Sequence, residues 1–272
     1  MKILRILSFL FAVVLLAVMA FSSVQLWGIH QDTVQEAELH GHLLQYRPEA
    51  PMAHQADSAV NASADSTFDS PSDSSDFGLD SAPAPRVNQS ILDLQSTYAD
   101  AVGWLSIPNT RIDYPFVQGP DNKHYLHLDL NQQRAAAGTI FLDYRNSPDF
   151  SDFNTILFGH HMKNGSMFGT LQHFNDRAFF KENRTGTLFL ANRTYEIEFI
   201  AFAVIPPNDG IIYNPTITED ADKLAFLDHV SSVARHYRDA NVTESDHIIT
   251  LSTCSYEFND ARMVLIGKLT EI

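Results

Sequence analysis

The sequence predicts a mainly β domain with a few added helices, preceded by an apolar N-terminal segment and an acidic linker. Two observations lead to this fold class. From residue 87 to residue 272, short runs of β-branched and aromatic residues alternate with Pro, Gly and Asn, which is typical of strands joined by turns. Helix-like stretches are few, and many short strands at close spacing favour a barrel or a sandwich.

The composition excludes several classes of protein. The chain has 272 residues, with 18 Lys and Arg against 33 Asp and Glu, and its formal net charge is −15. Binding to a phosphate backbone depends on clustered Lys and Arg, so nucleic acid is not expected as a partner. The single cysteine, Cys254, excludes an intramolecular disulfide framework and a zinc site built from cysteines.

The N-terminus has the pattern of a membrane anchor. Lys2 and Arg5 precede an uncharged stretch that ends at Trp27 and would span roughly 33 Å as a helix, the thickness of the hydrocarbon core of a bilayer. Small residues at 18–20 would also suit cleavage of a signal peptide, but the apolar character continues beyond them and favours a retained anchor. We expect residues 1–27 to form a cytoplasmic stub and a single membrane span, with the rest of the chain extracellular.

Residues 28–86 are predicted to form an extracytoplasmic linker. They include ten acidic and two basic residues, and Ser, Ala, Asp and Pro occupy 23 of the 31 positions from 56 to 86. Such a composition cannot bury a core. Apolar residues spaced through 32–46 fit a short helix above the membrane. The remainder is expected to be a solvated spacer, and the whole linker would have a root-mean-square reach of about 45 Å.

The globular domain is predicted to span residues 87–272. Its predicted strands lie at 103–107, 139–142, 155–158, 187–190, 195–204, 248–253 and 263–269. Its predicted helices lie at 91–101, from 166 through 174, and from an N-cap at Thr218 to residue 237. The last two strands are joined by a loop at 255–261.

Cys254 lies at the C-terminal end of the penultimate predicted strand, where the alternating pattern gives way to polar residues. A strand end is rigid and is open to a pocket formed by the following loop, which suits a nucleophile. The alternative is a small buried apolar side chain, which is the commoner role of a free cysteine.

His160 follows the strand at 155–158, directly after Gly159, which permits a sharp exit and a close approach of neighbouring backbone. An imidazole there could deprotonate a thiol and protonate a departing amine near neutral pH. The alternative is a structural histidine, since the chain has 12. The adjacent His161 does not indicate a metal site, because neighbouring residues of an extended segment point to opposite faces.

Arg262 opens the last predicted strand, seven intervening residues after Cys254, and lies at the same end of the sheet as Cys254 if the two strands are adjacent and antiparallel. A guanidinium there could stabilise an oxyanion or position a substrate carbonyl. The alternative is a solvated charge paired with Asp260 or Glu257.

These residues together resemble the sortases, membrane-anchored cysteine transpeptidases of Gram-positive bacteria, and class B in particular. The sequence Thr-Leu-Ser-Thr-Cys that ends at Cys254, followed by Arg262, is similar to the family's TLxTC signature with its downstream arginine. The pair Gly159-His160 is similar to the family's catalytic histidine segment. Further segments similar to class B lie at 102–119, 138–146 and 164–169, and the resemblance covers roughly residues 90–272.

The resemblance implies an eight-stranded sortase β-barrel with an N-terminal helix and a long helix, at 218–237, before the cysteine strand. It implies that Cys254 is the nucleophile, His160 the general acid and base, and Arg262 the residue that holds the substrate and stabilises the oxyanion. Ser252 and Thr253 are candidate supporting residues. No cofactor or metal is expected.

The activity implied is a two-stage transpeptidation. The enzyme would cleave the C-terminal sorting motif of a secreted protein at its Thr carbonyl, form a thioester, and transfer the protein to an amine of a cell-wall precursor or a pilin subunit. Because the thioester retains the energy of the peptide bond, no nucleotide is needed. Two alternatives are a mainly hydrolytic cysteine protease and a catalytically silent wall-binding protein on the same scaffold.

Overall fold

A computed structural model describes residues 2–49, 87–254 and 261–272; for Cys254, and for residues 2–8, 29 and 32, it describes the backbone alone. The helices in this part of the chain are α1 (Lys2–Leu43), α2 (Gln89–Thr97), α3 (Arg177–Glu182) and α4 (Asp220–Val233), with short 3₁₀ helices at Leu44–Tyr46, His124–Leu126 and Gly169–Asn175. The strands are β1 (Ala101–Ser106), β2 (Asp113–Gln118), β3 (Ile140–Leu142), β4 (Asn154–Phe158), β5 (Thr185–Leu190), β6 (Thr194–Ile205), β7 (His236–Tyr237), β8 (His247–Cys254) and β9 (Arg262–Glu271).

Eight of the strands close into a barrel in the order β5-β1-β2-β3-β4-β8-β9-β6, and pairing of β5 with β6 completes the ring. The pairs β2–β3 and β4–β8 are parallel and the others are antiparallel. The two-residue strand β7 pairs with Ala201 and Phe202 of β6. The predicted eight-stranded barrel with an N-terminal helix is confirmed.

The interior of the barrel is filled by every second side chain of its strands. Along β9, Met263, Leu265 and Leu269 belong to the largest buried cluster, whereas Val264 and Ile266 belong to a second cluster. Because successive side chains of a strand point to opposite faces, the first set fills the interior and the second faces outward. The second cluster also contains two buried residues of α4, so this helix covers the outer face of the sheet.

Several predicted boundaries differ from the observed ones. The helix predicted at 91–101 ends at Thr97, and β1 begins at Ala101. The helix predicted from 166 is a 3₁₀ helix from Gly169, because Met167 has a φ of 48° and the α-helix cannot pass through it. The short helix α3 follows, with Asp176 as its N-cap, accepting a hydrogen bond from the backbone N–H of Phe179.

The helix before the cysteine strand is shorter than predicted. Its N-cap is Glu219 rather than Thr218, and it ends at Val233 instead of continuing to residue 237. The backbone N–H of Arg235 donates to the carbonyl of Phe202 in β6 over 2.8 Å. The chain therefore pairs with β6 at the point where the helix was expected to continue.

Strand β2 was not predicted. Pro115 interrupts its apolar run, and a proline argues against a strand because it donates no hydrogen bond to the ladder. In the barrel, β3 pairs with β2 only from Phe116 onwards, so Pro115 lies outside that pairing. The ladder between these two strands therefore loses no donor at the proline.

Helix α1 includes both the predicted membrane span and the beginning of the predicted linker. Among the described residues, one helical segment, Phe9–Tyr46, is long enough and in part apolar enough to cross a membrane. It comprises most of α1 and the 3₁₀ helix that follows. The C-terminal end of α1 packs on the barrel, where Leu43 is buried. Arg47 forms an ion pair with Asp113, and the backbone N–H of Asn88, before α2, donates to the carbonyl of Ala191.

Candidate active site

Three strand ends meet at one rim of the barrel. Strands β4 and β8 are parallel neighbours with Phe158 opposite Ser252, and the backbone N–H of Gly159 continues the ladder to the carbonyl of Ser252 over 3.1 Å. His160 and Cys254 each lie two residues beyond that pair, on chains that run side by side. Neighbouring strands are about 4.8 Å apart, so this register brings the two backbones close together.

Arg262 lies opposite Cys254 in the antiparallel pair of β8 and β9. Its side chain is half-buried, and Nη1 lies 3.4 Å from the carbonyl oxygen of Ala261. Cys254 is indeed the last residue of β8, and Arg262 the first of β9, as predicted. The loop predicted at 255–261 falls mostly outside the described residues. The backbone thus brings all three predicted catalytic positions to the same rim.

The imidazole of His160 is held from two sides. Its Nε2 lies 2.7 Å from the carbonyl oxygen of Leu126, and its ring stacks on that of His127 with centroids 5.6 Å apart. Because a carbonyl can only accept, Nε2 carries the proton in this bond. In the neutral ring the lone pair is then on Nδ1, which leaves Nδ1 as the proton acceptor.

Gly159 allows this segment to pack tightly. A Cβ at this position would lie 2.8 Å from the ring of Phe168, so a larger residue would displace that ring. The backbone N–H of Phe168 also donates to the carbonyl of His160 over 3.0 Å. The close approach predicted from the glycine is therefore to a side chain, and it fixes the backbone that carries the imidazole.

The two candidate supporting residues have different environments. Ser252 is 1% exposed, and its hydroxyl is 2.8 Å from the hydroxyl of Tyr213. The Tyr213 ring stacks on Phe158, the last residue of β4. Thr253 is 2% exposed, and within the part of the chain that the structure describes its Oγ1 has no hydrogen-bond partner. Ser252 therefore links β8 to Tyr213, while a supporting role for Thr253 stays a prediction.

The segment that carries Tyr213 is attached to an ion pair between exposed Arg145 and buried Asp143. Arg145 Nη2 donates to the carbonyl of Tyr213 over 3.2 Å and to Asp143 Oδ2 over 2.7 Å. Burial opposes ionisation of the Asp143 carboxyl, but hydrogen bonds from Arg145 and Asn122 outweigh it and hold its pKa below the ordinary value. Asp143 therefore stays ionised near neutral pH and keeps Arg145 in place.

Tyr213→Phe is expected to lower the free energy of unfolding by about 1–2 kcal/mol, because it leaves the buried Ser252 hydroxyl without this partner. Ser252→Ala removes the other end of the same hydrogen bond. The double variant should therefore be more stable than the sum of the two losses predicts, by about 1 kcal/mol. Urea unfolding of the four chains in detergent measures this coupling, and strictly additive losses would contradict it.

His161 contacts Gln172 and Gly169. Burial lowers the pKa of its imidazole, against the opposing effect of contacts with Gln172 and Gly169. No group of three or more His, Cys, Asp or Glu side chains within residues 2–49, 87–254 and 261–272 could hold a metal ion.

Three features of the site were not found from the sequence. The carbonyl of Leu126 has no residue-type signal, because every residue has a backbone oxygen. His127 and Tyr213 are an ordinary histidine and an ordinary tyrosine in segments without a recognisable motif. Only the folded chain brings them next to His160 and Ser252.

The comparisons with known proteins agree with this geometry. A family profile described as the sortase domain matches residues 105–270. The chain belongs to the sortase family. The resemblance inferred from the motifs is thereby confirmed, and the matched region contains His160, Cys254 and Arg262.

Known sortases of class B are similar over most of the catalytic part. Sortase B of Listeria monocytogenes is 40% identical over 68% of this chain and 75% of its own length. Sortase B of Staphylococcus aureus is 30% identical over 66% of this chain and 74% of its own length. A solved structure of sortase B from Bacillus anthracis, in complex with AAEK1, is 27% identical, covers 89% of this chain and 100% of that one, and has a TM-score of 0.70.

Membership of class B defines the activity at a general level. The chain is a cysteine transpeptidase of the sortase type, and sortases act on substrates that carry sorting motifs. Its relatives are associated with the cell envelope, which fits the apolar N-terminal helix.

Proposed function

We propose that Cys254, His160 and Arg262 perform the transpeptidation, with Cys254 as nucleophile, His160 as general acid and base, and Arg262 as the residue that stabilises the oxyanion. One observation carries this proposal: the register of β4, β8 and β9 brings the backbones of the three residues to one rim. Ser252 is proposed to support the site through Tyr213, and Thr253 to support it from the neighbouring position.

The first stage is acylation of the thiol. Nδ1 of His160 takes the thiol proton, and the sulfur attacks the carbonyl carbon of the threonine in the sorting motif. The resulting oxyanion is stabilised by the guanidinium of Arg262. The C–N bond then breaks, the departing amine takes the proton from His160, and the threonine stays on Cys254 as a thioester.

The second stage transfers the acyl group. An acceptor amine attacks the thioester carbonyl and loses a proton to Nδ1 of His160. The C–S bond then breaks, and the sulfur regains its proton. A new amide forms for the one that was broken, so the exchange needs no cofactor. The acceptor is an amine on a peptidoglycan precursor or a lysine of a pilin subunit.

The bond from His160 Nε2 to the Leu126 carbonyl supports the proposed direction of proton transfer. It occupies Nε2 as a donor and leaves Nδ1 as the acceptor. A carbonyl can also accept from the imidazolium ring, so the bond can persist when Nδ1 holds a proton. The same contact therefore suits both the base and the acid form of His160.

Arg262→Lys is expected to lower kcat by about 10²-fold, because an ammonium group cannot reproduce the planar fork of donors that a developing oxyanion requires. Steady-state kinetics with a fluorogenic sorting-motif peptide measure the change. Arg184→Lys is the matched control, since Arg184 is exposed and pairs with Glu198 on the surface. Equal rates for wild type and the Arg262→Lys variant would contradict the role given to Arg262.

The N-terminal helix is proposed to anchor the enzyme in the cell membrane. The apolar part within residues 1–27 would cross the bilayer once, and the basic residues before it would stay in the cytoplasm. Residues 28–86 would connect this span to the catalytic domain at 87–272, outside the cell. Secreted substrates emerge at the same membrane surface, so tethering raises the effective concentration of enzyme and substrate.

Product analysis tests the proposed function. The full chain in detergent micelles is incubated with a sorting-motif peptide and increasing concentrations of an amine such as triglycine. We expect the amide transfer product to increase with amine concentration at the expense of the hydrolysis product. Hydrolysis that does not respond to the amine would favour a protease, and absence of any cleavage by a folded chain would favour a binding protein.

A further inference from the structure

The end of helix α1 is part of the hydrophobic core of the catalytic domain. Leu43 is 3% exposed, although most of the helix before it is exposed. It belongs to one buried cluster with Ile91 and Leu94 of α2 and with Tyr125 and Leu130 of the segment that follows β2. This helix end is therefore integrated into the domain, although the sequence predicted only a short helix above the membrane within the linker.

Polar contacts hold the chain in place directly after Leu43. Arg47 Nε is 2.8 Å from Asp113 Oδ2, and Oδ1 of the same carboxylate accepts a hydrogen bond from the buried indole of Trp104 over 2.8 Å. The hydroxyl of Tyr46 is 3.2 Å from that of Thr97 at the end of α2. These bonds fix the position of the helix end relative to β1, β2 and α2.

Residues 124–139, here called the support segment, connect this cluster to the proposed active site. Tyr125 donates from its hydroxyl to Asp100 Oδ2 over 2.6 Å, and its carbonyl accepts from the backbone N–H of Thr139 over 3.0 Å. The next residue, Leu126, packs against the cluster and offers its carbonyl to His160. The apolar side of the support segment thus faces α1 and α2, and its backbone holds the imidazole.

We propose that Leu43 is a positioning residue for catalysis: the end of the anchor helix supports residues 124–139, which in turn orient the imidazole of His160. This inference rests on the proposed role of His160. It assigns to the anchor helix a contribution to the chemical step in addition to membrane attachment.

The packing around Leu43 makes the support segment sensitive to this side chain. A cavity of about 540 Å³ lies between α1 and residues 129–140 and is bordered by Leu39, Leu43 and Leu130. Shortening Leu43 would enlarge a space that already exists, so neighbouring side chains could move into it instead of leaving a rigid void. The Leu126 carbonyl would then lose its fixed position.

Loss of this position would affect the chemical step more than substrate binding. Without a fixed acceptor at Nε2, the proton of the neutral imidazole can move to Nδ1, and that tautomer cannot accept the thiol proton there. A displacement of about 1 Å in a catalytic group can lower the rate by on the order of 10²-fold. The expected signature is a lower kcat with little change in KM.

The test compares Leu43→Ala with Leu269→Ala in the full chain, in detergent micelles. Leu269 is 5% exposed and lies near the far end of β9, so the control removes the same side chain from a similarly buried site away from the rim. We expect Leu43→Ala to lower kcat about tenfold, with KM nearly unchanged. Leu269→Ala should lower the melting temperature without lowering kcat at temperatures well below melting.

Two further measurements separate positioning from general stability. Leu43→Met restores most of the volume and should restore kcat. Histidine-selective ¹⁵N NMR, with the His160 signals identified from their loss in His160→Gln, should show a mixed tautomer in Leu43→Ala and a single one in wild type. If Leu43→Ala does not melt cooperatively, Leu43→Val provides the same comparison with a smaller change.

The inference is overturned if kcat falls equally in Leu43→Ala and Leu269→Ala, or if Leu43→Ala melts at a lower temperature with wild-type kcat. Either result would rule out a positioning role for Leu43, even if His160 itself is essential for activity. Conversely, full activity in His160→Ala would remove the proposed catalytic role itself, whatever the Leu43 variants do.

Discussion

Replacing Cys254 with alanine is expected to lower kcat/KM for a sorting-motif peptide by more than about 10⁴-fold. The sulfur is the atom on which the acyl group would be carried, and the chain has no second cysteine that could replace it. The variant should keep the melting temperature of the wild type, because one side chain at a strand end is exchanged for another small one. Peptide cleavage followed by chromatography measures the loss.

Mass spectrometry of the intact chain gives an independent readout of the same prediction. Wild type incubated with peptide and no amine should carry an acyl group that hydroxylamine removes, as expected of a thioester. The alanine variant should carry none. An acyl group on the Cys254→Ala chain, or cleavage at the wild-type rate, would remove Cys254 from the mechanism.

His160→Ala is expected to lower kcat by about 10³-fold, since both the deprotonation of the thiol and the protonation of the leaving amine would lose their catalyst. The chain offers a matched control in His161→Ala. The two histidines are adjacent and both half-buried, but His161 is directed towards Gly169 and Gln172. The control should keep most of its activity, even if it loses some stability.

The comparison is informative because both variants remove an imidazole from the same short segment. A general disturbance of the segment would lower the activity of both variants to a similar extent. Similar losses in steady-state kinetics would therefore contradict the specific role given to His160. A large loss confined to His160→Ala would support it.

The rim of the site was predictable from the sequence for a physical reason. A strand is marked by its residue types, and its end is marked by the change to polar residues. Once Cys254 and Arg262 are placed at facing ends of consecutive antiparallel strands, their proximity follows from the geometry of a short connection. His160 was harder, because β4 and β8 are far apart in sequence, and its placement depended on the resemblance to sortases.

What the sequence could not predict depends on tertiary contacts. Leu43 lies in a part of the linker for which the sequence predicts only a short helix above the membrane. Its contacts with the cluster that includes α2 and the support segment make it a core residue. The Leu126 carbonyl is a backbone atom that no residue type distinguishes. Strand β2 was not predicted, because a proline is unfavourable in a strand that is hydrogen-bonded to neighbours on both sides. Pro115 is tolerated because β3 does not pair with β2 at that position.

Helix α1 continues without interruption from its apolar part to the docked Leu43. Leu43 lies sixteen positions after Trp27, which corresponds to about 24 Å along the helix axis. If the apolar part crosses the bilayer as proposed, the catalytic rim is kept at a set height above the lipid headgroups, since a helix does not stretch or coil as a disordered tether does. Substrates would then need a matching number of residues between their sorting motif and their own hydrophobic tail.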